Sequence, residues 1–100
     1  MTLTEEKNLT EIRDDIENRI LDKYPSPFER YNKKCFRAND NTFFIVSSLR
    51  WDGDDVIVAE YADSEIEAKK GLFGEDGEMF YINEMSEKEI LEAIIREVEG

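Results

Sequence analysis

The chain has 100 residues, of which 40% are hydrophobic, and this size and composition predict one globular domain, residues 1–100, with a single core. Its net charge of −12 lies entirely in residues 51–100, which hold 16 acidic and 4 basic residues, whereas residues 1–50 hold 9 of each. This acidity disfavours direct binding to nucleic acid, and the absence of histidine removes the usual general base for catalysis at neutral pH.

A helix is predicted over residues 4–23. Its apolar residues recur every three or four positions and form one helical stripe: Leu9, Ile12, Ile16 and Ile20. Thr2 or Thr4 can cap its start, and Pro25 disfavours helical geometry in the residue before it. A second cap-and-proline pattern, at residues 26–29, predicts one or two further helical turns.

A central β-hairpin is predicted after a short strand at residues 34–38. Its strands, Thr42–Trp51 and Val56–Ala62, flank a tight turn at Asp52-Gly53 that can hold either two residues or four. Alternation places Phe43, Ile45, Leu49, Trp51, Val56 and Val58 on one face, and Phe44, Val46, Ile57, Ala59 and Tyr61 on the other. Because both faces are apolar, we expect the hairpin to be central and at least partly covered on both sides.

The remaining elements are a short helix at residues 65–70, a strand at Glu78–Asn83 and a final helix. Ser64 with Glu67 and Ser86 with Glu89 have the spacing of capping boxes at the two helix starts. The final helix carries a broad apolar stripe: Ile90, Leu91, Ile94, Ile95 and Val98.

These elements predict an α+β fold with the order α-β-β-β-α(short)-β-α. We expect a mostly antiparallel sheet of about four strands, a β-meander plus one, with the N- and C-terminal helices packed on one face. The sequence leaves open what covers Phe44, Val46 and Tyr61. The candidates are the 64–74 segment, a second subunit and a partner protein.

Few residues suggest side-chain chemistry. Cys35 stands beside Lys34, but an inert, partly buried strand residue is the favoured interpretation of a single cysteine. Residues 52–55 begin like a calcium-binding loop, yet Val56 stands where an acidic ligand is needed and Asp63 stands at the position of the final glutamate. We therefore expect no metal, no cofactor and no enzymatic activity.

Two acidic turns are the candidate partner-binding residues. The first contains Asp52, Asp54 and Asp55 beside Trp51, and an aromatic residue next to carboxylates is a plausible interface anchor. The second contains Glu75, Asp76 and Glu78. The alternative is that both turns are solvated surface that keeps the protein soluble.

The leading hypothesis is a small acidic cytoplasmic binding protein, of inhibitor or immunity type, that docks its C-terminal half on a protein with a basic surface. A single cysteine suits a reducing compartment, and the longest apolar run, residues 43–46, is far shorter than the ~20 residues of a membrane helix. The alternative is a homo-oligomeric or chaperone-like protein, for instance a homodimer, that uses an apolar interface at Phe44, Val46 and Tyr61. A carboxylate-based enzyme ranks last.

Overall fold

The computed structural model describes residues 8–74 and 77–100, which form a five-stranded antiparallel sheet and three helices. The elements are α1 (Leu9–Leu21), β1 (Phe28–Arg30), β2 (Lys33–Asn39), β3 (Thr42–Trp51), β4 (Asp54–Ala62), α2 (Glu65–Lys70), β5 (Glu78–Tyr81) and α3 (Glu87–Glu99). The sheet order β1-β2-β3-β4-β5 follows the chain order. The α+β class and the terminal helices are confirmed, with five strands where the sequence indicated about four.

Helix α1 begins at Leu9 because Asn8 caps it. The Asn8 side-chain oxygen accepts a hydrogen bond from the Glu11 backbone N–H at 2.9 Å, which satisfies one of the free donors of the first turn. The expected start at residues 4–7 and the expected caps Thr2 and Thr4 lie outside the described residues. The helix ends at Leu21, two residues before the predicted end.

The prediction of helical turns at residues 26–29 is wrong, because Phe28 opens strand β1. This strand pairs with β2 across a two-residue turn in which Tyr31 and Asn32 have left-handed φ values of 55° and 61°. The Phe28 ring lies 6.4 Å from the ring of Phe43, between centroids. Packing on the sheet therefore outweighs the local helix-start signal.

The hairpin formed by β3 and β4 has a two-residue loop. Trp51 pairs with Asp54, which leaves Asp52 and Gly53 between the strands with φ values of 52° and 84°. Left-handed geometry at both central residues matches the right-handed twist of the strands. The register also confirms the two predicted faces, since Phe44 lies opposite Tyr61 on one of them.

The main core lies between one sheet face and the two long helices. Its members are Phe36, Phe44, Val46, Ile57, Ala59 and Phe80 from the sheet, and Ile16, Ile20, Ile90, Ile94 and Val98 from α1 and α3. Phe44 and Val46 have no exposed surface, and Tyr61 is half-buried beside them. The hypothesis that these three residues form an apolar interface is therefore corrected: they belong to the core.

Helix α2 covers part of the opposite sheet face. It confirms the predicted helix at residues 65–70 and packs Ala68 into a second, smaller cluster. The other buried members of that cluster are Cys35, Phe43, Ile45 and Ala62. Burial, with a smaller effect of the negative charge of Glu65, raises the pKa of the Cys35 thiol to about 11. Cys35 is thus a buried strand residue with an unreactive thiol at neutral pH.

Candidate binding site at the hairpin tip

The tip of the β3–β4 hairpin, residues 51–55, brings together four of the predicted site residues. Trp51, Asp52 and Asp54 are exposed, and Asp55 is half-buried. Trp51 and Asp54 are direct cross-strand partners, so the indole and a carboxylate lie side by side on one face of the sheet. On the other face, the Arg50 guanidinium donates a hydrogen bond to the Gly53 carbonyl oxygen at 3.1 Å and so braces the turn.

Beside the tip, the face away from α1 and α3 carries an apolar patch. We call it the open sheet face and define it by Leu49, Trp51, Val58, Met79 and Tyr81. The exposed fractions are 37% for Leu49, 55% for Trp51 and 39% for Met79, and the register places the patch across β3, β4 and β5. Helix α2 packs at the other end of this face, over Phe43, Ile45 and Ala62. A contiguous group of large exposed apolar side chains is characteristic of an interaction surface.

On the helix-facing side, the tip borders a concavity of about 560 Å³, which we call the tip groove. Its lining residues come from α1, from the hairpin and from the loop after β5: Ile12, Arg50, Gly53, Asp54, Asp55, Ile82 and Asn83. The Ile82 backbone N–H donates to the Asp55 carbonyl oxygen at 3.3 Å, which holds the loop against the tip. The tip thus separates an apolar surface on one side from a partly acidic groove on the other.

Glu78, the described member of the second acidic turn, does not join this site. Glu78 pairs with Ala59, which lies five residues further along β4 than Asp54, a separation of about 17 Å along the strand. Its side chain accepts a hydrogen bond from the Tyr61 hydroxyl at 2.9 Å, so it has a structural role. Burial, together with this bond to Glu78, raises the pKa of Tyr61. The predicted site residues Glu75 and Asp76 lie outside the described residues.

Several acids away from the tip interact with local partners. Glu65 pairs with Lys69 at 2.8 Å, and the Glu89 carboxylate accepts the Ser86 backbone N–H at 2.9 Å; each contact holds the pKa of its carboxyl below the usual value. Across residues 8–74 and 77–100, no ion pair joins Asp52, Asp54 or Asp55 to a cation. The tip therefore groups three acids that form no ion pair within these ranges, and exposed acids elsewhere, such as Asp63 and Glu97, form none there either.

One buried acid was missed by the sequence analysis. Glu17 on α1 is only 3% exposed; its carboxylate accepts the Lys34 backbone N–H at 3.2 Å and lies 3.9 Å from the Arg13 guanidinium. Burial is the dominant effect and raises the pKa of this carboxyl. The available signal was the i,i+4 spacing of Arg13 and Glu17 next to the apolar stripe. These contacts fix α1 to the start of β2, which is a structural role.

No protein-family model, curated protein or solved structure matches this chain. None of the helices in the described ranges is both long and apolar enough to cross a membrane. Over the same ranges, no three or more Asp, Glu, Cys or His side chains are grouped so that they could hold a metal ion.

Proposed function

We propose that the protein is a small acidic binding protein, of inhibitor or immunity type, that docks on the basic surface of another protein. The docking surface is the hairpin tip together with the open sheet face. The observation that carries this proposal is the cross-strand pair of Trp51 and Asp54, which joins an exposed aromatic residue to an exposed carboxylate. An apolar centre with a charged rim is the usual composition of a specific protein interface.

The apolar part of this surface supplies affinity. Trp51 is the largest exposed side chain on the open sheet face, and tryptophan is enriched among residues that dominate binding energy. Leu49 and Met79 flank it and can exclude water from around it once a partner is bound. We expect the loss of Trp51 to act mainly on the dissociation rate.

The charged part selects the partner. A protein of net charge −12 is repelled by phosphate and attracted to surfaces rich in lysine and arginine. A nuclease or another nucleic-acid-binding protein must present such residues to its own ligand, so it offers the complementary surface. Occupying that surface would inhibit the partner. A cytoplasmic location suits this role and suits a single buried cysteine.

The test starts from affinity capture in the native cell, followed by purification of the captured protein and kinetic binding measurements at several salt concentrations. The tip variant combines Asp52→Asn, Asp54→Asn and Asp55→Asn. A matched control removes three exposed charges elsewhere, with Asp63→Asn, Glu92→Gln and Glu97→Gln. We expect the tip variant to bind more slowly and with a weaker salt dependence than the control. Trp51→Ala should accelerate dissociation by roughly 30-fold or more.

Two results would contradict the proposal. One is a purified partner that binds the tip variant and Trp51→Ala as tightly as the unmodified protein. The other is an equal loss for the tip variant and the control, which would mean that only the overall charge matters. Asparagine is compatible with the left-handed backbone at position 52, so the tip variant should keep its fold.

A homo-oligomer is the second candidate, and the exposure of Leu49, Trp51 and Met79 favours it. The interface would then be the open sheet face rather than Phe44, Val46 and Tyr61. Repulsion between copies that each carry −12 opposes such assembly, so salt should promote it. Sedimentation at micromolar concentration over a range of salt tests it. A dimer that Met79→Glu dissociates would support this candidate, and a monomer throughout would exclude it.

A further inference from the structure

We infer that the free edge of β5 accepts an extended, basic segment of the partner as a sixth strand of the sheet. This inference rests on the proposed function and specifies how part of the partner would be held. Strand β5 is the last in the sheet order, so β4 lies along one of its edges and, among residues 8–74 and 77–100, no strand lies along the other. A free strand edge presents backbone donors and acceptors with which another chain can pair.

The hydrogen-bond pattern identifies which backbone groups of β5 point outward. The Ile82 N–H donates to the Asp55 carbonyl oxygen on β4. In an antiparallel ladder, residues that bond to a given neighbour alternate with residues that do not. Phe80 therefore also bonds to β4, whereas Met79 and Tyr81 direct their N–H and C=O groups away from it.

Three of these outward groups are free within the described part of the chain. The Tyr81 carbonyl oxygen accepts the backbone N–H groups of Glu84 and Met85, each at 3.0 Å. The Met79 N–H, the Met79 C=O and the Tyr81 N–H make no hydrogen bond there. An added strand can therefore form both bonds of a close pair with Met79 and a third bond with Tyr81.

The opposite edge of the sheet, strand β1, is protected against such pairing. Arg30 and Lys33 bond to each other across a two-residue turn, which leaves Glu29 as the residue whose backbone points outward. Pro27 precedes the strand and has no N–H. Proline and charge are usual devices that block an edge, and the two outward residues of β5 are neither proline nor charged.

The side chains around β5 define the chemistry of the added strand. A residue opposite Met79 would lie on the open sheet face beside Met79 and Tyr81, so an apolar side chain suits that position. The residues on either side of it would lie on the other face, beside Glu78, and residues 75–92 hold seven acids and one base. Basic side chains suit these positions, whereas a second copy of the chain would bring the same acids and be repelled.

The test titrates the blocked peptide Val-Lys-Val-Lys-Val-Lys-Val into the full chain and follows amide hydrogen exchange by NMR. We expect the peptide to slow exchange of the Met79 and Tyr81 N–H groups, with a dissociation constant on the order of 1 mM. The Phe80 N–H already bonds to β4 and serves as the internal reference. A matched peptide with glutamate in place of lysine should bind at least about tenfold more weakly at low salt.

Methylation of peptide nitrogens separates strand addition from general attraction. With valine opposite Met79, N-methylation of the valines should remove most of the protection, and N-methylation of the lysines, whose N–H groups point away from β5, should preserve it. On the protein, Met79→Pro removes an outward N–H and no bond to β4, whereas Met79→Thr changes only the side chain. Read at Tyr81, Met79→Pro should weaken binding at least about fivefold and Met79→Thr less than about twofold.

Equal protection by the two methylated peptides, equal binding of the lysine and glutamate peptides, or no protection of Met79 and Tyr81 would each overturn the inference. Protection that rises with protein concentration in the absence of peptide would also overturn it, because a second copy would then occupy the edge. If Met79→Pro does not fold, the two methylated peptides decide the result.

Because the peptides replace the partner, this result separates from the proposed function. Peptide addition at β5, with no basic protein partner in the cell, would keep the edge site and reject the docking role. A purified basic partner that binds through the tip and leaves the Met79 and Tyr81 N–H groups unprotected would do the opposite.

Discussion

The guanidinium of Arg30 fills the space where a side chain at position 71 would begin. A Cβ atom added to Gly71 would lie 2.5 Å from Arg30 Nε, and Gly71 has a left-handed φ of 76°. From this position, Arg30 donates hydrogen bonds to the carbonyl oxygens of Lys69 and of Lys70, the latter at 3.0 Å. A residue of the edge strand β1 therefore caps the C-terminus of α2, and the glycine permits the close approach.

Gly71→Ala should destabilise the protein more than Gly53→Ala does. Both glycines have left-handed φ values, so both substitutions incur a backbone penalty of about 1–2 kcal/mol, but only position 71 adds a steric clash. Urea denaturation measures the difference. In an Arg30→Ala background the clash is gone, so the extra cost at position 71 should shrink. The same cost in both backgrounds would contradict the contact.

Arg30→Ala should also increase the reactivity of Cys35. Helix α2 packs Ala68 over the cluster that contains the thiol, and the two hydrogen bonds from Arg30 hold this helix to the sheet. In the unmodified protein, burial and a pKa of about 11 leave little accessible thiolate at neutral pH. The rate of labelling by a thiol-specific disulfide reagent under native conditions is the readout. An exposed arginine on α1 provides the control, and Arg19→Ala should leave the rate unchanged.

Glu17→Gln should stabilise the protein at neutral pH. Because burial raises the pKa of Glu17 in the folded state, its contribution to stability is fully present below the unfolded-state pKa of about 4.5 and is lost as the pH rises through the folded-state value. Glutamine can still accept the Lys34 N–H and carries no buried charge. Denaturant titrations from pH 3.5 to 8 should therefore show an advantage for the variant that disappears at the acid end. A variant that is less stable at pH 7 would mean that the Arg13 contact outweighs burial.

Phe44→Ala should cost far more stability than Leu49→Ala. Phe44 is fully buried beneath α1 and α3, where a truncation of this size typically costs about 3–5 kcal/mol. Leu49 lies on the open sheet face and should lose less than about 1 kcal/mol. Thermal unfolding of the two variants measures this contrast. Similar losses would mean that the helices do not cover the Phe44 face.

The sequence predicted correctly those features that depend on residues close together in the chain, namely the helix caps and the hairpin turn. Ser64 and Ser86 start α2 and α3 as predicted, because a hydroxyl and a glutamate three residues later act within one helical turn. The tight turn predicted at Asp52-Gly53 is also present in the structure. Local patterns failed at Phe28, where pairing with β2 and packing on Phe43 determine the backbone.

The sequence did not predict which face of the sheet the two long helices cover. Both faces of the hairpin are apolar, so alternation separates Phe44 from Phe43 without showing which of them the long helices cover. The tip groove could not be predicted from the sequence either, because its walls come from Ile12, from the hairpin and from Ile82, which are far apart in the chain. Of the candidate site, the sequence therefore predicted the acidic tip and Trp51 but not the surfaces on either side of them.

The order of the strands also has a consequence for how fast the protein folds. Every strand pairs with its neighbour in the sequence, and three of the four connections are two-residue turns. Short loops close with little loss of chain entropy, so the sheet should form within milliseconds. Contacts between the two ends of the chain come later: the Tyr24 hydroxyl donates a hydrogen bond to Glu99, 75 residues away, and Lys23 forms an ion pair with the same carboxylate. Tyr24→Phe should therefore accelerate unfolding in stopped-flow experiments and leave the refolding rate nearly unchanged.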